Sequence, residues 1–388
     1  MSRYPFPLIG GDKIKSYYLM KHLAKTYDVT LAAISFGKNP EQKDIKPLND
    51  IGVTVHTVAL PAIKSGLRSA LTMYDKYPLE ISFYLRKDFK ELVDSLCIEN
   101  NFDIGISFFL RTAEYLKHKN FKKILISEDC RVLYQTRSYQ SSMNLPQRAI
   151  RMWEVWKLKT YEPDIMNYFD TITLVTNDDI EAMKIRNPDA RYRLVTNGVQ
   201  TDIFSPPNEN IVRKDILFTG KLSVWSNTLM VHKIVKDIMP VVFQKFPDIK
   251  LHLVGSNPLK SILALESDRI QIHANVPDIS EYYKKCKIFL HPHSAATGIQ
   301  NKLLEAMAAG LASVTTLTGI QGIDGKHREH FMIGGTKQEM IENTIELLSN
   351  DELCDSISRN SRQLILDTHT WEVVNKQIDS VIEEMYNE

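Results

Sequence analysis

The residues whose types and spacing best suit chemistry lie in the segment GIQNKLLEAMAAG, at positions 298–310. The segment follows a short apolar run, IFLHP, which is typical of a buried strand, and then a loop of small residues. Glycine at the mouth of a strand lets the backbone approach a ligand closely. A helix that begins there offers free N–H groups and the positive end of its dipole to a diphosphate.

Two charged side chains follow on that predicted helix. Lys302 and Glu305 are three positions apart and so share one helix face near its start. A carboxylate at the position of Glu305 can accept two hydrogen bonds from the vicinal hydroxyls of a ribose. An ordinary amphipathic helix with an ion pair is the alternative. The strand–loop–helix setting favours the functional interpretation.

A second candidate follows the predicted strand DILFT, at positions 215–219, which leads into Gly220 and Lys221. A cation at this edge of the sheet could neutralise the β-phosphate of a nucleotide. A phosphate leaving group needs such charge stabilisation. The alternative is that Lys221 is a solvated lysine in a turn.

The N-terminal half holds weaker candidates. Gly10 and Gly11 precede a predicted helix and could present backbone N–H groups to a diphosphate or an acceptor. Glu128 and Asp129 follow the predicted strand KILIS, where a carboxylate could orient an acceptor hydroxyl or help to deprotonate it. A purely structural role in capping the next segment stays open for both carboxylates.

Composition argues against several classes of function. Lys and Arg total 48 against 47 for Asp and Glu, so no global field for nucleic acid is expected. The sequence has no Asp-x-Asp pair after a strand, and His291 and His293 have no third ligand near them in sequence. We therefore expect neither a metal site nor a cofactor. The four cysteines have no zinc spacing, so free thiols in a reducing cytosol are expected.

The N-terminus lacks the apolar core of a signal peptide, and residues 306–323 are too rich in small and hydroxyl side chains to span a bilayer. We therefore expect a cytoplasmic protein with at most peripheral contact with the inner face of the plasma membrane. Residues 146–161 are basic and aromatic. A packed helix with a solvated basic side is favoured there over a membrane-surface role.

Strand and helix patterns alternate along all 388 residues, which predicts an α/β protein of two doubly wound domains with parallel sheets facing a cleft. The predicted domains are 1–205 and 206–369, with a helix at 370–388 returning to the first. Residues 1–9 contain two prolines and do not suit the strand expected before the glycine turn. Either that strand is missing or the biological start lies upstream.

Several motifs together resemble a known family. They are TGK at 219–221, LHLVG at 251–255, NVPDISEYYKKCKIFLHP at 275–292 and GIQNKLLEAMAAG at 298–310. They look like the C-terminal domain of glycosyltransferase family 4, retaining transferases of the GT-B fold. With RYPFPLIGGDKIKSYYLMKHLAK near the N-terminus, the chain is similar to bacterial sugar transferases associated with exopolysaccharide and exosortase gene systems.

The resemblance implies roles for individual residues. Glu305 would hold the nucleotide ribose and Lys221 the donor diphosphate. The loop beside the phosphates would comprise Gly298, Ile299, Gln300 and Asn301, followed by Lys302, while Gly10 and Gly11 would lie at the reaction centre. Two positions depart from the family pattern. Thr297 replaces a glutamate that touches the donor sugar, and Ser226-Asn227 fall where the family has a lysine.

The resulting hypothesis is a metal-independent, retaining glycosyltransferase. It would move a sugar from a nucleotide-diphosphate donor to a glycan or lipid-linked glycan in the synthesis of bacterial capsule or exopolysaccharide. By resemblance, the departing phosphate helps to deprotonate the acceptor. A nucleotide-sugar 2-epimerase on a similar scaffold is one alternative, and a degenerate, non-catalytic GT-B protein is the other.

Overall fold

The computed structural model describes residues 1–8, 10–71, 74–140, 145–207, 211–294 and 298–387. These residues form two compact units, the first comprising Met1–Thr196 with Asn375–Glu388 and the second Asn197–Val374. Both units are built from parallel strands separated by helices, because buried β-branched runs alternate with amphipathic stretches along the chain. Within the described ranges, no helix combines the length and the apolar character needed to cross a bilayer.

The first unit contains two parallel sheets. Strands β1 and β2 pair with each other, and β3, β4, β5 and β6 form a sheet in that order. The strands are β1 Val29–Phe36, β2 Val53–Leu60, β3 Ile104–Phe108, β4 Lys122–Glu128, β5 Thr171–Leu174 and β6 Tyr192–Leu194. The helices are α1 Gly11–Leu23, α2 Gln42–Asn49, α3 Ala62–Leu71, α4 Leu79–Tyr84, α5 Lys87–Glu99, α6 Ala113–Leu116, α7 Arg131–Gln140, α8 Leu145–Met166 and α9 Asn177–Lys184.

The first residues of the chain lie beside β1 without forming a strand. The Tyr4 N–H donates to the Ile34 carbonyl at 2.8 Å, and the Ile34 N–H donates to the Met1 carbonyl at 3.0 Å. A cavity of about 140 Å³ is lined by Met1, by Thr30–Ala32 of β1 and by Ile104–Ser107 of β3. Neighbouring side chains of a strand point to opposite faces of the sheet. Because consecutive residues of β1 and β3 line the cavity, the edges of these strands border it.

The second unit contains one sheet, with all pairings parallel in the order β12-β11-β10-β7-β8-β9. The strands are β7 Ile216–Thr219, β8 Leu251–Gly255, β9 Ile270–Ala274, β10 Ile288–His291, β11 Ala312–Thr315 and β12 Met332–Ile333. The helices are α10 Trp225–Lys233, α11 Met239–Lys245, α12 Lys260–Leu263, α13 Ser280–Lys285, α14 Asn301–Ala308, α15 Lys337–Ser349 and α16 Asp351–Thr368. Helix α17, Trp371–Tyr386, begins in this unit and ends in the first.

The order of strands positions a ligand site. From β7 the chain continues to β8 and β9 on one side, whereas β10 leads to β11 and β12 on the other. The strand order therefore reverses between the paired strands β7 and β10, and ligands of open α/β sheets bind where it does so. The TGK motif follows β7, and the loop before α14 follows β10.

Apolar runs predict strands at ten ranges, and a strand is present at each to within two residues. The ranges are 29–36, 103–109, 123–127, 171–176, 192–196, 215–219, 250–254, 269–273, 287–291 and 312–316. The pattern over 80–98 predicts a single helix, but two helices, α4 and α5, are present, with a break at Leu85 and Arg86, where the backbone is extended. The pattern over 228–245 predicts one regular helix, which contains a π-helical turn at Ile234–Ile238. The pattern over 299–309 predicts a helix from residue 299, but α14 begins at Asn301 because Gln300 is extended.

Replacing Gly255 with alanine tests the close approach of two strand ends. A Cβ at Gly255 would lie 1.7 Å from the Gly220 carbonyl oxygen, so backbone must shift. We expect Gly255→Ala to lower the free energy of unfolding by about 1–3 kcal/mol, measured by urea denaturation. Gly66→Ala on α3 is the matched control, because a Cβ there meets nothing within 4 Å. Equal stability of the two variants would contradict this packing.

Candidate functional site

The end of β7 makes a turn that only glycine fits. Gly220 has a φ of 150°, and a Cβ on it would lie 2.8 Å from the Asn227 side-chain nitrogen and 3.2 Å from the Lys302 ammonium. The Gly220 backbone therefore lies against two side chains from other elements, α10 and α14. This turn places the TGK motif directly beside the start of α14.

Glu305 is held by a hydrogen-bonded chain that begins in the core. The Tyr283 hydroxyl, on α13, donates to Glu305 Oε2 at 2.9 Å and lies 2.6 Å from the Thr219 hydroxyl. Tyr283 is fully buried, and Glu305 is partly buried. Burial raises the pKa of Glu305 to about 7, although the bond from Tyr283 and the charge of Lys302 both lower it. The carboxylate is thus fixed in position and costly to ionise.

Lys302 is held by a different neutral partner. Its ammonium donates to the Asn227 side-chain oxygen and lies 5.3 Å from the centroid of the Phe218 ring. Burial lowers its pKa to about 8, while Glu305 raises it. Among the described residues, Lys302 and Glu305 make no contact ion pair with each other. Two charges one helical turn apart are therefore both incompletely compensated by the protein.

The start of α14 presents backbone N–H groups that have no side-chain acceptor among the described residues. Gly298 has a φ of 73°, a conformation that favours glycine, and the helix begins at Asn301 without a side-chain cap among the described residues. The first N–H groups of such a helix lack intrahelical acceptors. The Asn197 side chain donates to the Asn301 side-chain oxygen at 2.9 Å, and the buried Asn197 Oδ1 has no partner among the described residues.

The remaining predicted donor residues have distinct surroundings. Ile299 is buried and Gln300 is partly buried in the segment before α14. Lys221 is exposed, and its ammonium makes no ion pair among the described residues. Thr297 lies outside the described residues. The second unit therefore brings together Lys302, Glu305 and the segment 298–301 beside the Gly220 turn.

In the first unit, the glycine turn and Glu128 are connected through Lys15. Gly10, with a φ of 105°, precedes α1, whose first residue is Gly11. One turn later, the Lys15 ammonium lies 2.7 Å from Glu128 Oε1 and donates to the Val195 carbonyl at 2.9 Å. Burial lowers the pKa of Lys15 and raises that of Glu128, and each charge partly offsets the effect on the other. The Glu128 carboxylate is therefore already paired.

Asp129 belongs to a neighbouring ionic cluster. Its carboxylate lies 3.4 Å from the Arg131 guanidinium, which also contacts Glu80 at 2.7 Å. Arg111 contacts the other oxygen of Glu80 at 2.5 Å. Although burial raises the pKa of Glu80, the two arginines bring it down to about 2. This cluster fixes the residues that follow β4.

The sequence analysis did not assign three residues of the candidate site in the second unit. Asn227 and Tyr283 hold the two charged groups, and Asn197 contacts the start of α14. Asn227 carried a usable signal, because it stands where the related family has a cation. Tyr283 carried none, since a tyrosine at a buried helical position is typical of core packing.

The two histidines at the end of β10, His291 in the strand and His293 just after it, are buried and stacked. The rings of His291 and His293 are 5.1 Å apart, and burial lowers the pKa of His291 well below its ordinary value. In the described part of the chain, no three His, Cys, Asp or Glu side chains lie close enough to hold a metal ion.

Solved structures resemble this chain along nearly its whole length. Sucrose-phosphate synthase of Thermosynechococcus elongatus matches with a TM-score of 0.71 and 15% identity, over 100% of this chain and 96% of that one. HepE of Anabaena, solved with UDP and glucose, matches with a TM-score of 0.65 and 13% identity, over 96% of each chain. The chain has the GT-B fold of glycosyltransferases. The fold predicted from the sequence is confirmed.

Within this GT-B chain, residues 213–350 match the family model described as Glycosyl transferases group 1. The resemblance to glycosyltransferases is thereby confirmed, and assignment to family 4 stays a prediction. An uncharacterised 44.6 kDa protein from the cps region of Klebsiella pneumoniae is 23% identical over 258 residues. The match covers 64% of this chain and 65% of that relative.

Replacing Tyr283 with phenylalanine tests the chain of hydrogen bonds. The variant removes the donor to Glu305 and the partner of Thr219, so we expect a loss of about 1–3 kcal/mol in stability. Because that bond lowers the pKa of Glu305, the pKa rises further above about 7 in the variant. Urea denaturation and an NMR titration of Glu305 measure both effects.

Tyr282→Phe is the matched control, since the Tyr282 hydroxyl makes no hydrogen bond among the described residues. If Tyr282→Phe and Tyr283→Phe gave the same stability and the same Glu305 titration, the network would have no energetic role.

Proposed function

We propose that the protein is a glycosyltransferase that takes its sugar from a nucleotide-diphosphate donor bound by the second unit. The observation that carries the proposal is the pair Lys302 and Glu305 on the first turns of α14. Each is held by a neutral partner, and they do not pair with each other. Buried charges that lack a counter-charge are destabilising, and they cluster at binding sites.

A nucleotide-sugar has the complementary groups. The ribose hydroxyls donate to the Glu305 carboxylate, whose other oxygen is fixed by Tyr283. The diphosphate accepts from the free N–H groups at the start of α14 and from Lys302. A lysine in the first turn of a helix is repelled by the positive end of the dipole, so an anion there relieves two unfavourable interactions at once.

Lys302 also compensates for a departure from the family pattern. Ser226-Asn227 stand where related transferases have a lysine. The ammonium of Lys302 reaches the Asn227 side chain and lies close to Gly220. The Lys302 ammonium, from α14, therefore lies beside Asn227, the position on α10 where related transferases have a lysine. The exposed Lys221 provides a second cation at the same turn.

The proposed reaction retains anomeric configuration and uses neither metal nor cofactor. The bond between the anomeric carbon and the departing diphosphate breaks, and a bond to the acceptor oxygen forms on the same face. The acceptor proton passes to the departing phosphate. Glu128 is not assigned this proton because Lys15 already pairs with it. Gly10 and Gly11 supply backbone N–H groups on the acceptor side.

The acceptor is proposed to be a glycan or lipid-linked glycan in the synthesis of capsule or exopolysaccharide. Support comes from the relative encoded in the cps region of Klebsiella pneumoniae. HepE was solved with UDP, which supports a nucleotide-sugar as the donor. The proposed location is the cytoplasm, where nucleotide-sugars are made.

Calorimetric titration of UDP, GDP and ADP tests the donor site. We expect one nucleotide to bind and Glu305→Ala to weaken that binding at least about tenfold, or ~1.4 kcal/mol, through loss of the ribose contact. Glu342→Ala, an exposed glutamate on α15, is the matched control and should bind as the wild type does. Unchanged binding by Glu305→Ala would refute the ribose role, and no binding of any nucleotide would favour a non-catalytic protein.

The affinity for a nucleotide-sugar of whichever nucleotide binds should pass through a maximum between about pH 7 and pH 8. Below about pH 7, Glu305 is protonated and no longer accepts two bonds; above about pH 8, Lys302 loses its charge. A nucleotide-sugar is the right probe, since a terminal phosphate of a free nucleotide titrates near pH 6.

Single substitutions separate the two limbs of this profile. Lys302→Met removes the alkaline fall and moves the acid fall to higher pH, because Lys302 lowers the pKa of Glu305. Glu305→Gln removes the acid fall and moves the alkaline fall to lower pH, because Glu305 raises the pKa of Lys302. A flat profile in the wild type would show that these two groups do not bind the donor.

Incubation of the protein with a nucleotide-sugar and no acceptor distinguishes a transferase from an epimerase on the same scaffold. An epimerase converts its nucleotide-sugar without any acceptor, whereas a transferase leaves the donor intact or hydrolyses it slowly. The Lys302–Glu305 arrangement serves the nucleotide part of the donor in either enzyme, so product analysis after incubation without acceptor decides between them.

A further inference from the structure

The solvent-facing side of α8 carries an apolar stripe beside the solvated basic residues expected from the sequence. Leu145, Met152 and Trp156 are exposed by 77%, 58% and 61%. Their spacing of seven and four positions puts them on one helix face. The opposite face, with Leu158 and Ile165, is fully buried in the core of the first unit. Helix α8 is thus packed on one side and carries an apolar stripe on the other.

The stripe continues onto the segment after α3. Tyr74, exposed by 84%, contacts the Trp153 ring edge-on at 6.2 Å between centroids, and Trp153 lies 5.2 Å from Trp156. The Lys157 ammonium lies over both tryptophan rings and donates to the Asp75 carbonyl. We call the residues Tyr74, Leu145, Met152 and Trp156 the aromatic stripe.

Positive charge flanks the aromatic stripe. Arg148 and Lys159 are both exposed and lie on the same side of it, eleven positions apart. The acid within this part of α8, Glu154, is buried and accepts hydrogen bonds from the Leu79 and Glu80 N–H groups at 2.8 Å. Between Leu145 and Lys159, the exposed face of α8 therefore carries cations without acids, on a chain whose net charge is only +1.

We propose that the aromatic stripe and its cations bind the surface of an anionic lipid bilayer. A helix lying in the plane of a membrane buries an apolar face containing tryptophan, while its basic side chains meet anionic headgroups. A purely apolar partner surface would leave Arg148 and Lys159 without counter-charges. A bilayer of anionic lipids satisfies both the apolar stripe and the cations. The inference concerns binding alone and holds whether or not the chain transfers a sugar.

Co-sedimentation with vesicles tests this surface. The wild type should bind phosphatidylcholine vesicles containing phosphatidylglycerol, bind pure phosphatidylcholine vesicles far more weakly, and lose binding as salt rises. Trp156→Ser with Met152→Ser, and separately Arg148→Glu with Lys159→Glu, should each weaken binding about tenfold or more. Because all four side chains lie at the surface, the thermal midpoint and nucleotide affinity should not change.

Ile98→Ser is the matched control, since Ile98 is exposed by 85% on α5 and should not affect vesicle binding. Equal binding of anionic and neutral vesicles, or wild-type binding by Trp156→Ser with Met152→Ser, would overturn the proposal. The proposal would also be overturned if the protein did not bind vesicles and sedimentation velocity showed a dimer that Trp156→Ser abolishes. The aromatic stripe would then join two copies of the chain. If the wild type bound vesicles but no nucleotide, the proposed donor site would be refuted and the membrane-binding surface would still be supported.

Discussion

The candidate site of the second unit depends on two opposite charges that do not pair with each other. Lys302 and Glu305 lie one turn apart on α14, the spacing at which such side chains ordinarily pair. Instead, Asn227 binds the ammonium and Tyr283 binds the carboxylate. Neutral partners satisfy the hydrogen bonds of each group without cancelling its charge, while burial raises the pKa of Glu305 and lowers the pKa of Lys302. Such an arrangement reduces stability, so a ligand that supplies both complements recovers the difference as binding energy.

The first unit treats a similar pair of charges differently. Lys15 lies near the start of α1 and Glu128 at the end of β4, and the two contact each other at 2.7 Å. Their pairing leaves little unmet charge, and Val195 accepts a further hydrogen bond from the lysine. The pair in the first unit therefore stabilises the connection between α1 and β4. In the second unit each charge is held by a neutral partner, which is why we propose a ligand there and none at Lys15 and Glu128.

Local sequence pattern predicted most of the strands and the helix that carries the candidate site. It failed for β2, VTVHTVAL, whose polar and partly buried residues weaken the apolar signal, and for the break between α4 and α5. At the site, the glycines, Lys302 and Glu305 were recognisable because their roles depend on neighbours in sequence. Asn227 and Tyr283 act on residues 75 and 22 positions away, and only the paired strands and the packing of α13 bring them there.

The same distinction explains why the apolar stripe on α8 was not recognised from the sequence. Its sequence shows basic and aromatic residues together, a composition that suits either a packed helix or a surface one. Only the packing reveals that Leu158 and Ile165 take the buried side, which leaves Leu145, Met152 and Trp156 facing outward. The buried Glu154 caps the start of α4 and so removes the local acid from the exposed face. Burial of that one carboxylate therefore serves the fold of α4 and the positive character of the surface at the same time.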